Sequence, residues 1–420
     1  MVVRNFSALK GVKRMKLKSF IGAASVCALV LGAVVGVAGP AAADPSGPTT
    51  PINIDGSGAE ATQDVMNAMA NSIGFSSWNA TPAGSLITPK ATIAPPSTVH
   101  CGTITRPNTD VEGLIALRRS LSDTPVIPNV PLPKYPITAA NYPGAPPIGS
   151  LCFQYARSTV RPVASSTGLL QYVPFALDAV GVAVGPNTGA NPTLIGGTFT
   201  LSQLQMMYTT GAPQTASNGV SYDPVDTSNP ADLPAPGSTA IHLLLPKAGA
   251  GTGSFFAAAM GLNFPVPWVK DTYGAGLSVP ENDGTAVAQD RNAIMPYSIA
   301  QYLAQQARAG TPIDRRNGAR LQSVGGVSPF TPNGLQINPS WHPLLVREVF
   351  NVIPFAATTA GPGTSYINDL WEIFVDTSNT PFSLCRRTST ITSWGFGLLP
   401  AGRCGNVTDT TLRAFNTAQW

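Results

Sequence analysis

Along the chain, short apolar runs closed by glycine or proline alternate with segments whose apolar side chains recur every three or four positions, the pattern of strands alternating with helices. The first ordered unit reads as a strand at 52–54, a glycine turn Asp55-Gly56-Ser57-Gly58 and a helix over 59–73. Residues 74–110 are rich in Ser, Thr and Pro, with a short strand-like piece at 85–88. A helix over 111–121 follows the polar lead Arg106-Pro107-Asn108-Thr109-Asp110. Residues 122–150 are proline-rich and read as an exposed loop. Strands are expected at 152–156, 169–175 and 180–184, then a helix over 200–209 with Leu201, Leu204 and Tyr208 at helical spacing. A strand at 239–245 runs into Lys247-Ala248-Gly249-Ala250-Gly251-Thr252-Gly253 and a helix from Ser254, repeating the order strand, glycine loop, helix. Further on, 292–306 reads as strand then helix joined at Ser298, 342–355 as helix then strand, and 369–375 as a helix. The alternation argues for α/β layers with mostly parallel pairing, and no fixed-period repeat runs through it.

Only 11% of the 420 residues are charged, against 41 Gly and 40 Pro, which excludes a coiled coil. The formal charge of +4 comes from the leader: six of the 25 Lys and Arg (Arg4, Lys10, Lys13, Arg14, Lys16 and Lys18) precede an apolar run at 20–37 and the small residues Ala41, Ala42 and Ala43. This is the layout of a secretory signal peptide, 1–43, cleaved near Ala43; the competing reading is an uncleaved membrane anchor, since the run is near spanning length. Without the leader, 19 basic residues face 21 acidic ones, so no basic field remains for nucleic acid. A secreted, extracellular or envelope-associated protein follows. Cys27 leaves with the leader, and Cys101, Cys152, Cys385 and Cys404 suggest two disulfides, Cys101 to Cys152 and Cys385 to Cys404 being the simplest of three connectivities. A zinc site competes weakly: the cysteines lack a C-x-x-C spacing, and His100, His242 and His342 are dispersed.

The two glycine loops are the most informative local feature. Each points a helix N-terminus at the loop's contents, so an oxyanion or hydroxyl-rich ligand could be held without lysines; the bland alternative is a tight βα connection with no ligand. Neither loop matches a dinucleotide or P-loop fingerprint. No nucleophile-elbow or zinc-hydrolase motif occurs, His342 in Trp341-His342-Pro343 reads as a packed histidine, and Asp283 reads first as a turn residue and second as a polar ligand contact. Arg157, closing the strand Tyr155-Ala156-Arg157-Ser158, stands where α/β folds bind ligands or else makes a surface salt bridge.

Taken in order, 56–66, 155–158, 172–179 (YVPFALDA), 200–208 (TLSQLQMMY), 249–256 and 292–302 (NAIMPYSIAQY) resemble the phosphate-type solute-binding proteins of ABC importers, in particular divergent secreted Gram-positive members. The resemblance covers most of the chain after the leader. It implies an α/β, two-lobed periplasmic-binding-protein-like (type II) fold with hinge strands at about 176–180 and 316–320. Lobe one would be 44–178 plus 318–420 and lobe two 179–317, with separate sheets and an interlobe cleft onto which both glycine loops open. It also implies a monomeric, non-enzymatic protein without cofactor or metal, taking a small anionic or polar solute and serving an ABC importer permease. The carried-over ligand set is Ser57, Gly58, Arg157, Ser158, Gly251 and Thr252, with Arg157 as the main countercharge. The chain departs from the family where a loop serine and an arginine four residues before it are usual: Ala250 and Pro246 stand there. No aspartate falls near Arg157 or Ser158 to accept a proton from hydrogen phosphate. A lipidated cysteine just after the leader is also missing. The rival readings are an envelope adhesion or interaction protein on the same scaffold with a degenerate cleft, and an enzyme.

Overall fold

The computed structural model describes residue 44 and residues 54–89, 103–121, 152–190, 192–229, 231–378 and 380–415. Residues 1–43, expected to be a leader, Cys101 and the proline-rich stretch 122–150 lie outside them. Nine strands and five helices position the site. In chain order they are β1 (Asp55–Gly58), α1 (Gln63–Ile73), β2 (Ser76–Ser77), α2 (Asp110–Leu121), β3 (Tyr155–Ser158), β4 (Leu170–Val184), α3 (Leu201–Thr210), β5 (Ser221–Pro224), β6 (Thr239–Leu244), α4 (Gly251–Met260), β7 (Ala293–Ser298), α5 (Ile299–Gln306), β8 (Arg320–Gln322) and β9 (Val346–Pro354).

The local sequence explains several of these boundaries. α1 buries Val65, Met66, Met69, Ala70 and Ile73 on one face and stops at Gly74, whose φ of 103° only glycine adopts readily. α3 opens with a reciprocal capping box between Thr200 and Gln203. α4 has no side-chain cap of its own: its N-cap is Ala250, and it starts three residues before the position the glycines suggest. Its first amides are met by carboxylates from elsewhere in the chain, which is why the helix tolerates Gly251 and Gly253.

The strands form one hydrogen-bonded path, β2-β1-β3-β9-β4-β7-β6-β5, with β8 also on β4 and two-residue strands at Gln214–Thr215, Val269–Lys270 and Arg413–Ala414 completing twelve. The class is mixed α/β. Pairing is parallel at β1/β2, β1/β3, β6/β7 and β5/β6, but antiparallel wherever β4 or β9 takes part. The expectation of mostly parallel pairing is therefore corrected. The two apolar runs at 169–175 and 180–184 are also one 15-residue strand rather than two, because β9 pairs with β4 from Leu170 through Ala179 and holds the intervening residues extended. The helix expected within 342–355 is a single 3₁₀ turn, Pro343–Leu345.

β4 changes neighbours at Ala179–Val180. Before that point it lies against β9; after it, Val180 to Val184 pair with β7, and Val182 to Val184 also pair with β8. The cores change with the neighbours. Val173 and Phe175 pack with Val65, Met66, Phe75, Tyr155, Val349 and Ile353, whereas Val180, Val182 and Val184 pack with Leu204, Tyr208, Leu243, Phe256, Ile294 and Trp341. Two apolar interiors are thus strung on one strand, and the separate sheets expected for two lobes are corrected to one continuous sheet, because β4 runs through both halves.

Cys385 and Cys404 are bonded, 19 positions apart in sequence. Cys152 is also disulfide-bonded.

Candidate functional site

Beside the point where β4 changes partners, the ends of α2 and α4 meet. α2 is drawn close to β1 because Gly113 faces Gly58: a Cβ on Gly113 would stand 2.4 Å from the Gly58 Cα, and Gly58 itself has φ of +124°. The Thr109 hydroxyl accepts from the Glu112 amide, and the Glu112 carboxylate from the Asn108 amide, so the first turn of α2 is fixed. Asp110 is thereby aimed out of the helix start. It is 3% exposed and takes four donors: Thr159 N–H at 2.5 Å, Thr159 Oγ1 at 3.0 Å and Ser158 Oγ at 3.3 Å on Oδ1, and Gly251 N–H at 2.9 Å on Oδ2.

A second carboxylate, Glu281, accepts from the next amide of α4, Thr252 N–H, at 2.8 Å. Its other oxygen is buried without a hydrogen-bond partner among the described residues. Burial pushes Glu281 up to about 7, with the neighbouring Asp110 charge adding to the shift. Burial likewise raises Asp110, although its donors oppose this.

Arg347, from β9, joins the pieces. Its Nη1 donates to Thr159 Oγ1 at 3.1 Å and its Nη2 to Thr252 Oγ1 at 2.9 Å, while Nε and Nη2 reach Asp178 Oδ2 at 3.1 and 2.8 Å. Asp178 lies on β4 one residue before the change of partners, and its Oδ1 accepts from Ser298 Oγ and Ala300 N–H at the start of α5. The guanidinium also lies 5.3 Å from the Phe255 ring centre. A buried pair this well supplied with hydrogen bonds fixes geometry more than it adds stability.

Outside this seam a pocket of about 340 Å³ is lined by Thr159, Arg161, Phe255, Val346, Arg347, Glu348 and Arg403. Its arginines are partly matched: Arg403 grips Glu348 at 2.5 and 2.7 Å, and Arg161, with 55% of its side chain exposed, lies 3.6 Å from Glu348 and 3.2 Å from Asp409. A larger hollow of about 500 Å³ lies beside the Cys385–Cys404 bridge and includes Phe175, Ile391 and Leu398 in its lining. The smaller one is the better candidate, because it borders α4 at Phe255, shares Thr159 and Arg347 with the seam and offers convergent charges.

A further polar cluster sits at the start of α1. Arg315 Nη2 lies 3.3 Å from Asp64 Oδ2, its Nε lies 3.8 Å from Glu60 Oε1, and Gln301 donates to Asp64. Burial holds Glu60 well above the usual carboxylate range despite Arg315.

The residues expected to bind ligand are divided by this arrangement. Ser158, Gly251 and Thr252 come together around Asp110 and Arg347. Arg157 does not face them: fully buried, it donates to Ala59 O at 3.2 Å, Ser77 Oγ at 2.9 Å and Gly58 O at 3.1 Å, and burial lowers it to about 10. Gly58 thus serves that arginine through its carbonyl, and the Ser57 hydroxyl is buried without a partner among the described residues. Asp283 accepts from Thr285 N–H at 2.8 Å as a turn residue does, and His342 Nε2 lies 3.0 Å from Val324 O. Asp110, Thr159, Asp178, Glu281 and Arg347 were not singled out from sequence. The available signal was a lone charge in an otherwise apolar strand, as at Asp178.

No family model matches the sequence, and no curated protein matches it. Among solved structures, the chain is similar to an ABC-type phosphate transport receptor from Vibrio cholerae (12% identity, TM-score 0.41, covering 82% of this chain and 99% of that one). It is also similar to a putative phosphate ABC transporter substrate-binding protein with bound phosphate from Clostridium perfringens (13%, TM-score 0.40, 83% and 99%). A possible phosphate binding protein from Planctomyces limnophilus is a third (8%, TM-score 0.35, 85% and 96%).

Proposed function

We propose that this chain is a secreted, non-enzymatic solute-binding protein whose two lobes close over a small anionic or polar solute, serving an ABC importer. The observation that carries the reading is that β4 changes both partner and hydrophobic core at Ala179–Val180, while α2 and α4 bring their polar ends together beside that point. A hinge strand flanked by facing helix termini is what closure around a solute requires. The single continuous sheet counts against two separately sheeted lobes, and the change of partner and core along β4 is what remains in favour of the reading. We put lobe one at 44–178 plus the C-terminal part of the chain and lobe two between these two pieces. We draw the second boundary near Val346, where the resemblance implied residue 317, because β8 pairs with the far half of β4, and Trp341 and Leu345 pack in the second core.

In this reading the solute lies in the pocket between Thr159, Phe255, Arg347 and Arg161, with Arg347 and Arg161 supplying its countercharge. Native mass spectrometry of protein purified from its own host tests this. A bound small solute is expected, and its affinity by calorimetry should fall in Arg161→Ala without loss of fold. Recovery of empty protein, with Arg161→Ala indistinguishable from wild type toward every anion tried, would favour the rival reading of an envelope interaction protein. The carboxylates already seated on α4 are the observation on that rival's side.

A further inference from the structure

We propose that Asp110 is an internal stand-in for a bound oxyanion: its carboxylate holds the N-terminus of α4, so the cleft closes upon itself and refuses free phosphate or sulfate at that seat. The proposal takes its location from the solute-binding reading, but not its test. Four donors converge on the carboxylate, two backbone amides and two hydroxyls, and they come from the end of β3 and the start of α4. That is the donor set of a lysine-free oxyanion site. Asp110 reaches it from α2, itself fixed on β1 by the Gly113–Gly58 approach, so the anion is delivered by the chain and its local concentration does not depend on solution.

An independent sign that the seat is built for a ligand is Glu281. It is 3% exposed, holds the adjacent Thr252 amide with one oxygen and leaves the other unpartnered. Its burial favours the protonated form, and a protonated Glu281 is a hydrogen-bond donor beside the Thr252 amide. Arg347, whose guanidinium touches both Thr159 and Thr252, adds a fixed positive charge a few ångströms from the carboxylate's donors. The carboxylate supplies one negative charge and two oxygens, so removing it leaves a vacancy with unsatisfied donors that formate, sulfate or phosphate can fill.

The experiment compares full-length wild type with Asp110→Ala at about pH 6, where Glu281 is largely protonated, by calorimetry and thermal shift with sodium formate, sulfate and phosphate against chloride. Asp110→Ala is expected to melt lower, to recover with each oxyanion in a saturable way, and to bind sulfate about tenfold or more tighter than wild type. Wild type binding sulfate or phosphate as tightly as the variant would overturn the proposal. So would a folded Asp110→Ala that gains nothing over chloride. Should that variant fail to fold, Asp110→Asn keeps the shape and turns an N–H toward the Gly251 amide. Hydrogen exchange at Gly251 should then quicken while Thr252, still held by Glu281, stays protected; unchanged protection at Gly251 sinks the idea. Failure to find a natural solute, or a silent Arg161→Ala, bears on the outer pocket alone and leaves these readings intact.

Discussion

Arg157 and Arg161 stand four positions apart, yet their surroundings give them opposite work. Arg157 is sealed inside with its donors on Ala59, Ser77 and Gly58, and truncating it leaves those acceptors unmatched in a cavity. Arg157→Ala is expected to destabilise the protein by about 2–4 kcal/mol in urea unfolding, with solute affinity changed only as far as the fold is. Arg161→Ala should leave the midpoint within about 0.5 kcal/mol of wild type, because its ion pairs are exposed and screened. The carboxyl of Glu281 gives a residue-scale prediction in pH. Its folded value of about 7 lies above the ordinary value, so the folded state binds the proton more tightly. The associated stability is present at low pH and lost as pH rises through about 7. The melting temperature should therefore fall between about pH 5 and pH 8, and Glu281→Gln should flatten that slope. A melting curve in the variant as steep in pH as in wild type would refute the assignment.

Helix α2 shows how a single small residue sets the position of an element. Gly113→Ala would improve intrinsic helix propensity by about 1 kcal/mol, but its methyl would stand 2.4 Å from the Gly58 Cα, and backbone cannot yield as a flexible side chain does. The clash wins, and a net loss of about 1–3 kcal/mol is expected in denaturant titration, together with a weaker hold of Asp110 on Gly251. The disulfide belongs to the same scale. Cys385 and Cys404 close a loop across 19 positions, which in the chain-entropy account stabilises by about 3 kcal/mol. Replacing both with serine should lower the unfolding free energy by that order while leaving the α2–α4 seam, built from other elements, as it is.

At the scale of the molecule, two hydrophobic interiors share β4, and the Arg347–Asp178 pair clasps β9 to β4 where they meet. Losing one core strips β4 of pairing on which the other depends. Hydrogen exchange along a denaturant series should therefore give the amides of α1 and α4 the same unfolding midpoint, although they belong to different cores. A midpoint difference well outside error would show that the halves melt independently.

Much of this was legible in the sequence because it rests on local rules. Alternating apolar runs and amphipathic segments placed α1, α2, α3, β6 and α5 within a few residues. Glycines announced the connection before α4, and the Cys385–Cys404 bridge was the simplest pairing, but Asp55-Gly56-Ser57-Gly58, expected to turn, is strand β1, held extended between β2 and β3. What lay beyond reach depended on which remote group meets which. Pairing direction followed from β4 and β9 running antiparallel to their neighbours in the middle of the sheet, a matter of chain path rather than composition. The early start of α4 depended on carboxylates 141 and 29 positions away. Arg157 looked like a ligand's countercharge because its strand position was right, and the turn of its donors toward Gly58 and Ala59 is set by the neighbouring β1, paired beside it. Periodicity fixes which face of an element is buried; only the assembled structure decides whether a buried charge meets its own chain or a solute.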